Sequence, residues 1–175
     1  MDADGGRLRG AGMTIGYLAD HARFLPQLAD WHHREWSYLR PGDTIEARTG
    51  RLRSACGRRA IPTVLVAFSG EELLGSAMLV TNDMDSRMDL SPWIAGVFVR
   101  ADRRGLGIGT QLMTSAVEEA RLLGVGRLYL YTPGAEGFYA GLGWKVIDRP
   151  QYRGVGVAVM TRGVAWRAAD GRART

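Results

Sequence analysis

Residues 97 to 110 read Val97-Phe98-Val99-Arg100-Ala101-Asp102-Arg103-Arg104-Gly105-Leu106-Gly107-Ile108-Gly109-Thr110, a short apolar strand joined through a charged turn to a glycine-rich helix start. The helix is marked downstream, where Leu112, Met113, Ala116, Val117, Ala120 and Leu123 recur at helical spacing. Its first amides therefore fall within the Arg/Gly segment. Those N–H groups have no partner inside the helix, and together with the helix dipole they favour an anion such as a pyrophosphate. Glycines at 105, 107 and 109 remove Cβ atoms that would hold a phosphate away from the backbone, and Arg104 adds a positive charge.

A glycine-rich strand-to-helix turn has two other readings. A dinucleotide-binding unit needs Gly-x-Gly-x-x-Gly and an acidic residue about twenty positions later. Here the glycines alternate, and the next strand ends in Tyr131-Thr132 without a carboxylate. The remaining reading is an ordinary turn. A second segment speaks for the phosphate cradle: Leu128-Tyr129-Leu130-Tyr131-Thr132, then Ala135, Phe138-Tyr139 and Leu142-Gly143-Trp144.

Arg104-x-x-Gly107-x-Gly109 after a strand ending in Val99, followed by that second segment, resembles the acyl-CoA signature, fifth strand and short helix of the GNAT superfamily of N-acetyltransferases. The resemblance spans roughly residues 13 to 162, with its specific motifs between 97 and 144. It implies an α+β fold: a mixed, mostly antiparallel sheet of about seven strands flanked by helices and splayed between the fourth and fifth strands. It also implies acetyl-CoA as cosubstrate. The pantetheine arm would pair with the backbone of Val97, Phe98 and Val99, as in strand addition. Arg104, Gly105, Leu106, Gly107, Ile108, Gly109 and Thr110 would hold the pyrophosphate. Thr132 stands where the family often carries a cofactor-touching asparagine, and its hydroxyl can still donate.

The rest of the chain is consistent with that order of elements. Residues 1 to 12, rich in Gly, Asp and Arg, read as a disordered extension. Met13 to Tyr17 reads as a strand, and Asp20 as the cap of a helix to about Leu39. Pro41-Gly42 breaks it, and Asp43-Thr44 opens a second helix to about Cys56. Ile61 to Phe68 and Glu72 to Thr81 flank Ser69-Gly70-Glu71 as a hairpin, with a loop from Asn82 to Pro92. Strands at 93 to 100, 127 to 132, 144 to 149 and 154 to 162, with helices at 107 to 124 and 134 to 142, complete one domain over 13 to 162. Residues 163 to 175 form a basic tail.

At 175 residues the chain suits a single domain that builds its own core. Its lone cysteine, Cys56, excludes an internal disulfide, and adjacent His32 and His33 point to different helix faces, so no metal is expected. Of the net charge of +5, residues 162 to 175 carry +3 (Arg162, Arg167, Arg172 and Arg174 against Asp170), so nucleic acid is not an expected partner. Without a bilayer-length apolar run or a secretory leader, no membrane partner and a cytoplasmic location are expected. Exposed strand edges near the C-terminal end would suit a homodimer.

The resemblance implies direct acetyl transfer to an amine, either a small molecule or a peptide. A lysine-like amine has a pKa near 10.4, so below about one in a thousand is nucleophilic at neutral pH and a base is needed. An amide near Phe98 is the expected donor to the charge that develops on the attacked carbonyl. Tyr139 matches the family tyrosine that serves as general acid beside the CoA sulfur. Many relatives carry a glutamate on the fourth strand as base, but Trp93-Ile94-Ala95-Gly96 has no carboxylate. Asp83, Asp85 and Asp89 in the preceding loop are the substitutes, with Asp89 taken as base through a water, and Glu35 and Glu46 as alternatives. Trp36, Tyr38 and Trp93 are candidate walls of an acceptor pocket. The missing strand carboxylate leaves a second reading, a noncatalytic acyl-CoA-binding or regulatory domain.

Overall fold

A computed structural model describes residues 12–165. The chain opens with β1 (Thr14–Tyr17), two short 3-10 turns, α1 (Leu25–Trp36) and α2 (Ile45–Ser54). A meander of β2 (Thr63–Ser69), β3 (Glu72–Val80) and β4 (Trp93–Val99) leads into α3 (Ile108–Leu122) and then β5 (Arg127–Thr132). The remainder is α4 (Glu136–Gly141), β6 (Lys145–Asp148), a small hairpin of β7 (Gln151–Tyr152) and β8 (Val155–Gly156), and β9 (Ala158–Gly163). Seven strands share one sheet in the order β1-β2-β3-β4-β5-β9-β6, antiparallel except for the parallel β4–β5 neighbours. This is the expected α+β architecture.

The alternation of β2 shows why both sheet faces are covered. Leu65 and Ala67 join the core built on α3, with Leu112, Met113, Ala116 and Ala120 of that helix. Val64, Val66 and Phe68 point to the other face and pack with Leu25, Leu28 and Ala29 of α1 and Leu52 of α2. A strand buried on both faces has no polar side to show, which is why this stretch reads as a continuous apolar run. Leu28 and Leu112 are fully buried, each such side chain contributing about 1.5–3 kcal/mol of transfer free energy. At the start of α2, the Thr44 hydroxyl accepts the Ala47 amide at 3.1 Å, a cap worth about 1 kcal/mol.

Two element boundaries differ from expectation. Asp20 does not cap a long first helix; its carboxylate pairs with Arg58 at 2.6 Å, and α1 begins only at Leu25, where Pro26 needs no amide partner. The expected strand at 154 to 162 is divided at Val157, whose amide donates to the Pro150 carbonyl at 3.0 Å, and its first part, β8, pairs instead with β7 across a two-residue turn at Arg153 and Gly154, both at positive φ.

The expected extension and tail lie mostly outside the described residues, which leave out 1–11 and 166–175. At the described end β9 continues to Gly163, and buried Val164 donates its amide to the Gly126 carbonyl at 2.9 Å.

Candidate active site

β4 and β5 touch at one register pair, Trp93 with Tyr129, and the Tyr129 amide donates to the Pro92 carbonyl at 3.1 Å. Beyond that point the strands diverge. On its other side β4 remains paired with β3: Phe98 lies opposite Ser76, Val99 opposite Gly75, and the Arg100 amide donates to the Leu74 carbonyl at 2.9 Å. Antiparallel alternation then turns the N–H and C=O of Phe98 toward β3, and those of Val97 and Val99 toward the gap. The expectation that the Phe98 backbone faces a cofactor is therefore corrected. Val97 and Val99 turn their backbone groups to the gap, and the Phe98 ring packs against Trp31 with centroids 5.3 Å apart.

Ser76 pairs with Phe98 while Met78 pairs with Ala95, so β4 carries one extra residue, a bulge around Gly96 and Val97. Gly96 has φ +55, and a Cβ there would lie 2.8 Å from Met78 Sδ and 3.0 Å from His32 Cε1. The Ser76 hydroxyl donates to the Gly96 carbonyl at 2.7 Å and so accepts from His32 Nε2 at 2.8 Å. Burial pushes the His32 imidazole down to about 3, keeping it neutral at pH 7. The sequence singled out His32 only to exclude a metal. A histidine on an apolar helix face carries no local sign of a partner forty-four residues away.

The helix start after β4 has the features of an anion cradle. α3 has no side-chain cap, and its N-cap is Gly107 at φ +82. A Cβ at Gly105 or Gly107 would meet no atom within 4 Å, so the backbone lies open there. Gly109 differs from the expected role, because a Cβ would come within 3.2 Å of the Phe138 ring; its small size lets α3 approach α4. Arg100 and Arg103 are engaged with Glu72 and Asp102, whereas Arg104 is exposed and has no carboxylate partner among the described residues. Arg104 Nε instead donates to the Val99 carbonyl at 3.0 Å. Leu106 is exposed and Ile108 is buried in the core, so their contributions to an anion site are those of the backbone.

A cavity of about 490 Å³ opens between the diverging strands and is walled by α1, α2, the β3–β4 loop, β5 and the β7–β8 turn. Tyr139 lines it, and burial pushes its phenol up to about 12. Asp83 also lines it. Desolvation pushes the Asp83 carboxyl up to about 7, against the pull of the Arg40 and Arg48 guanidinium groups. Glu35, Trp36, Arg51 and Arg153 complete much of the polar wall.

The family model of the acetyltransferase (GNAT) family matches residues 25–144. The chain belongs to this GNAT family. No curated protein sequence matches it. The GNAT fold is shared with an aminoglycoside 6'-N-acetyltransferase complexed with coenzyme A, at 17% identity and TM-score 0.72 over 89% of this chain and 99% of that chain. It is shared with the aminoglycoside 6'-N-acetyltransferase from Enterococcus faecium at 16% identity, TM-score 0.68, over 89% and 99%. It is shared as well with yncA of Salmonella typhimurium, solved with its cofactor acetyl-CoA, at 18% identity, TM-score 0.63, over 93% and 100%.

Within this GNAT scaffold the other sequence candidates separate. Asp89 is not on the cavity: its side chain is 63% exposed and bound by Arg87 at 3.1 Å, so the expectation that it acts as base is corrected. Asp85 is bound by Arg153 at 2.8 Å. Glu46 and Tyr38 are exposed away from the cavity, and Trp93 is buried in the core beside Met84, so only Trp36 of the three aromatic candidates lines it. Thr132 lines the cavity, but its hydroxyl oxygen accepts the amides of Gly134 and Ala135 at 3.3 and 2.9 Å, fixing the turn into α4. Cys56 donates to the Leu52 carbonyl, and burial pushes its thiol up, which keeps it protonated. Among the described residues no group of three or more His, Cys, Asp or Glu side chains can hold a metal ion, and no helix is long and apolar enough to cross a membrane.

Proposed function

We propose that this GNAT protein is an acetyl-CoA-dependent N-acetyltransferase that acetylates a primary amine directly, with Asp83 as base through a water and Tyr139 as general acid. The observation that carries this reading is the shared cavity: Asp83 and Tyr139 line the same opening between β4 and β5. The residues also fit the cosubstrate. The uncapped start of α3, the open backbone at Gly105 and Gly107, and Arg104 suit its diphosphate, and Val97 and Val99 suit its amide-bearing arm.

When bound, acetyl-CoA supplies the acetyl group as a thioester. Asp83 accepts a proton from the ammonium through water, freeing the nitrogen lone pair. As the N–C bond forms and the C–S bond breaks, a β4 amide on the gap side, Val97 or Val99, donates to the carbonyl oxygen. Tyr139, protonated at neutral pH, donates to the departing sulfur. The noncatalytic reading rested on the lack of a carboxylate on β4, and Asp83 supplies one from the adjoining loop.

The test is thiol release from acetyl-CoA against a panel of small amines, amino acids, aminoglycosides and peptides. Amine-dependent release supports the transferase. Tight CoA binding without release for any amine supports the binding domain instead.

A further inference from the structure

We propose that the acceptor is a small primary amine that also carries an anionic group, a carboxylate or a phosphate, and that Arg40 and Arg48 hold that group. This rests on the transferase reading above. Four guanidinium groups line the cavity, and they are not equally neutralised. Arg153 is bound by Asp85 at 2.8 Å and donates to the Leu39 carbonyl at 3.0 Å, so it is matched and fixed. Arg48 and Arg51 share one carboxylate, that of buried Asp43, at 2.7 and 2.6 Å. Arg40 has no carboxylate partner among the described residues. Arg40 and Arg48 are therefore the guanidinium groups least matched by ion pairs, on the wall formed by α2 and the segment before it, while Glu35 of α1 and Asp83 are the acids that line the cavity with them.

Arg48 is the most informative of the four. Its side chain is only 15% exposed, and its buried Nε has no hydrogen-bond partner among the described residues. A buried charged donor left unpaired is costly, and a guanidinium is shaped to bind a carboxylate or phosphate through two parallel hydrogen bonds. The Asp83 carboxyl feels both Arg40 and Arg48. The cavity thus presents a proton acceptor for the amine and cations for an anion within Coulomb range of each other. A zwitterionic acceptor complements both, whereas a polycationic aminoglycoside would meet like charge at Arg40 and Arg48. With the acyl carrier's end sharing about 490 Å³, there is room for a small acceptor.

The experiment compares acceptors with and without the anion, α-amino acids against their amides and aminoethyl phosphate against aminoethanol, each read as kcat/KM per free amine from thiol release with acetyl-CoA. The anionic member is expected to be preferred by about a hundredfold, and Arg40→Gln or Arg48→Gln to cut that ratio about tenfold through KM, the scale of one charge-assisted hydrogen bond. Preference within the amino-acid pairs assigns the site to carboxylate, and preference within the phosphate pair to phosphate. Arg48→Gln also loses the Asp43 contact; Arg40→Gln, exposed and outside any ion pair among the described residues, keeps the test intact if that variant does not fold. Equal rates within every pair, or an aminoglycoside as best acceptor, would overturn the anionic site and leave the transferase standing. No amine-dependent release with any acceptor would overturn the transferase reading and this inference with it.

Discussion

Asp83→Asn keeps the shape of the side chain and removes its titration. Desolvation raises the carboxyl to about 7 while Arg40 and Arg48 pull it down. The carboxylate fraction is then about one tenth at pH 6, about half at pH 7 and about nine tenths at pH 8, so kcat rises about tenfold between pH 6 and 8. The assay is thiol release at saturating acetyl-CoA and amine, which removes the acceptor's binding from the profile. Tyr139, pushed up to about 12, stays protonated and adds no limb in this range. Asp83→Asn is expected to lose the inflection and about a hundredfold or more of kcat at pH 8. Replacing Arg40 by Gln should move the inflection upward, because a lost cation disfavours the carboxylate. The folding control has a defined sign. A carboxyl whose folded pKa lies above its unfolded value makes the native state lose stability as pH rises from about 4 through 7. The Asn variant should therefore be no less stable than the native protein at pH 8. A variant that retains the inflection, or most of its rate, refutes Asp83 as the base.

Tyr139→Phe should bind CoA normally and lose about a hundredfold in kcat, measured by calorimetry and thiol release; full turnover would remove the phenol from the chemistry. Arg104→Gln should weaken CoA about tenfold, and less so at high salt, since Arg104 is an exposed cation beside the uncapped start of α3. Unchanged affinity at low salt would separate Arg104 from the pyrophosphate. Gly75→Ala would drive a Cβ against the Phe98 carbonyl oxygen and to within 3.0 Å of Leu112 Cδ1, so thermal unfolding should show a loss of about 1–3 kcal/mol. A native melting temperature would mean that β3 and β4 separate there more easily than their packing implies.

Much of the architecture was readable from local pattern. The run from Val97 to Thr110 announced strand, turn and helix because glycines and the spacing of Leu112, Met113 and Ala116 report on neighbours a few residues away. The short helix that carries Tyr139 was legible as well, from the Phe138-Tyr139 and Leu142-Gly143-Trp144 run. The two missed boundaries, at Asp20 and Arg153, turned on an ion pair with Arg58 and on an arginine held at positive φ, neither of which follows from helical or strand periodicity.

The sequence by itself determined the order of elements, the two-faced core and the uncapped glycine entry to α3, since these depend on propensity, alternation and capping along the chain. Only the tertiary structure put Asp83 rather than Asp89 on the cavity, turned Phe98 toward β3 and Val97 and Val99 toward the gap, and linked His32 through Ser76 to the Gly96 bulge. It also brought Arg40 and Arg48 to the same cavity as Asp83. The reason is physical. A carboxylate's pKa and a guanidinium's unmet donor are set by everything packed within a few ångströms, and in this fold those neighbours come from α1, α2, β5 and a hairpin far apart in the chain.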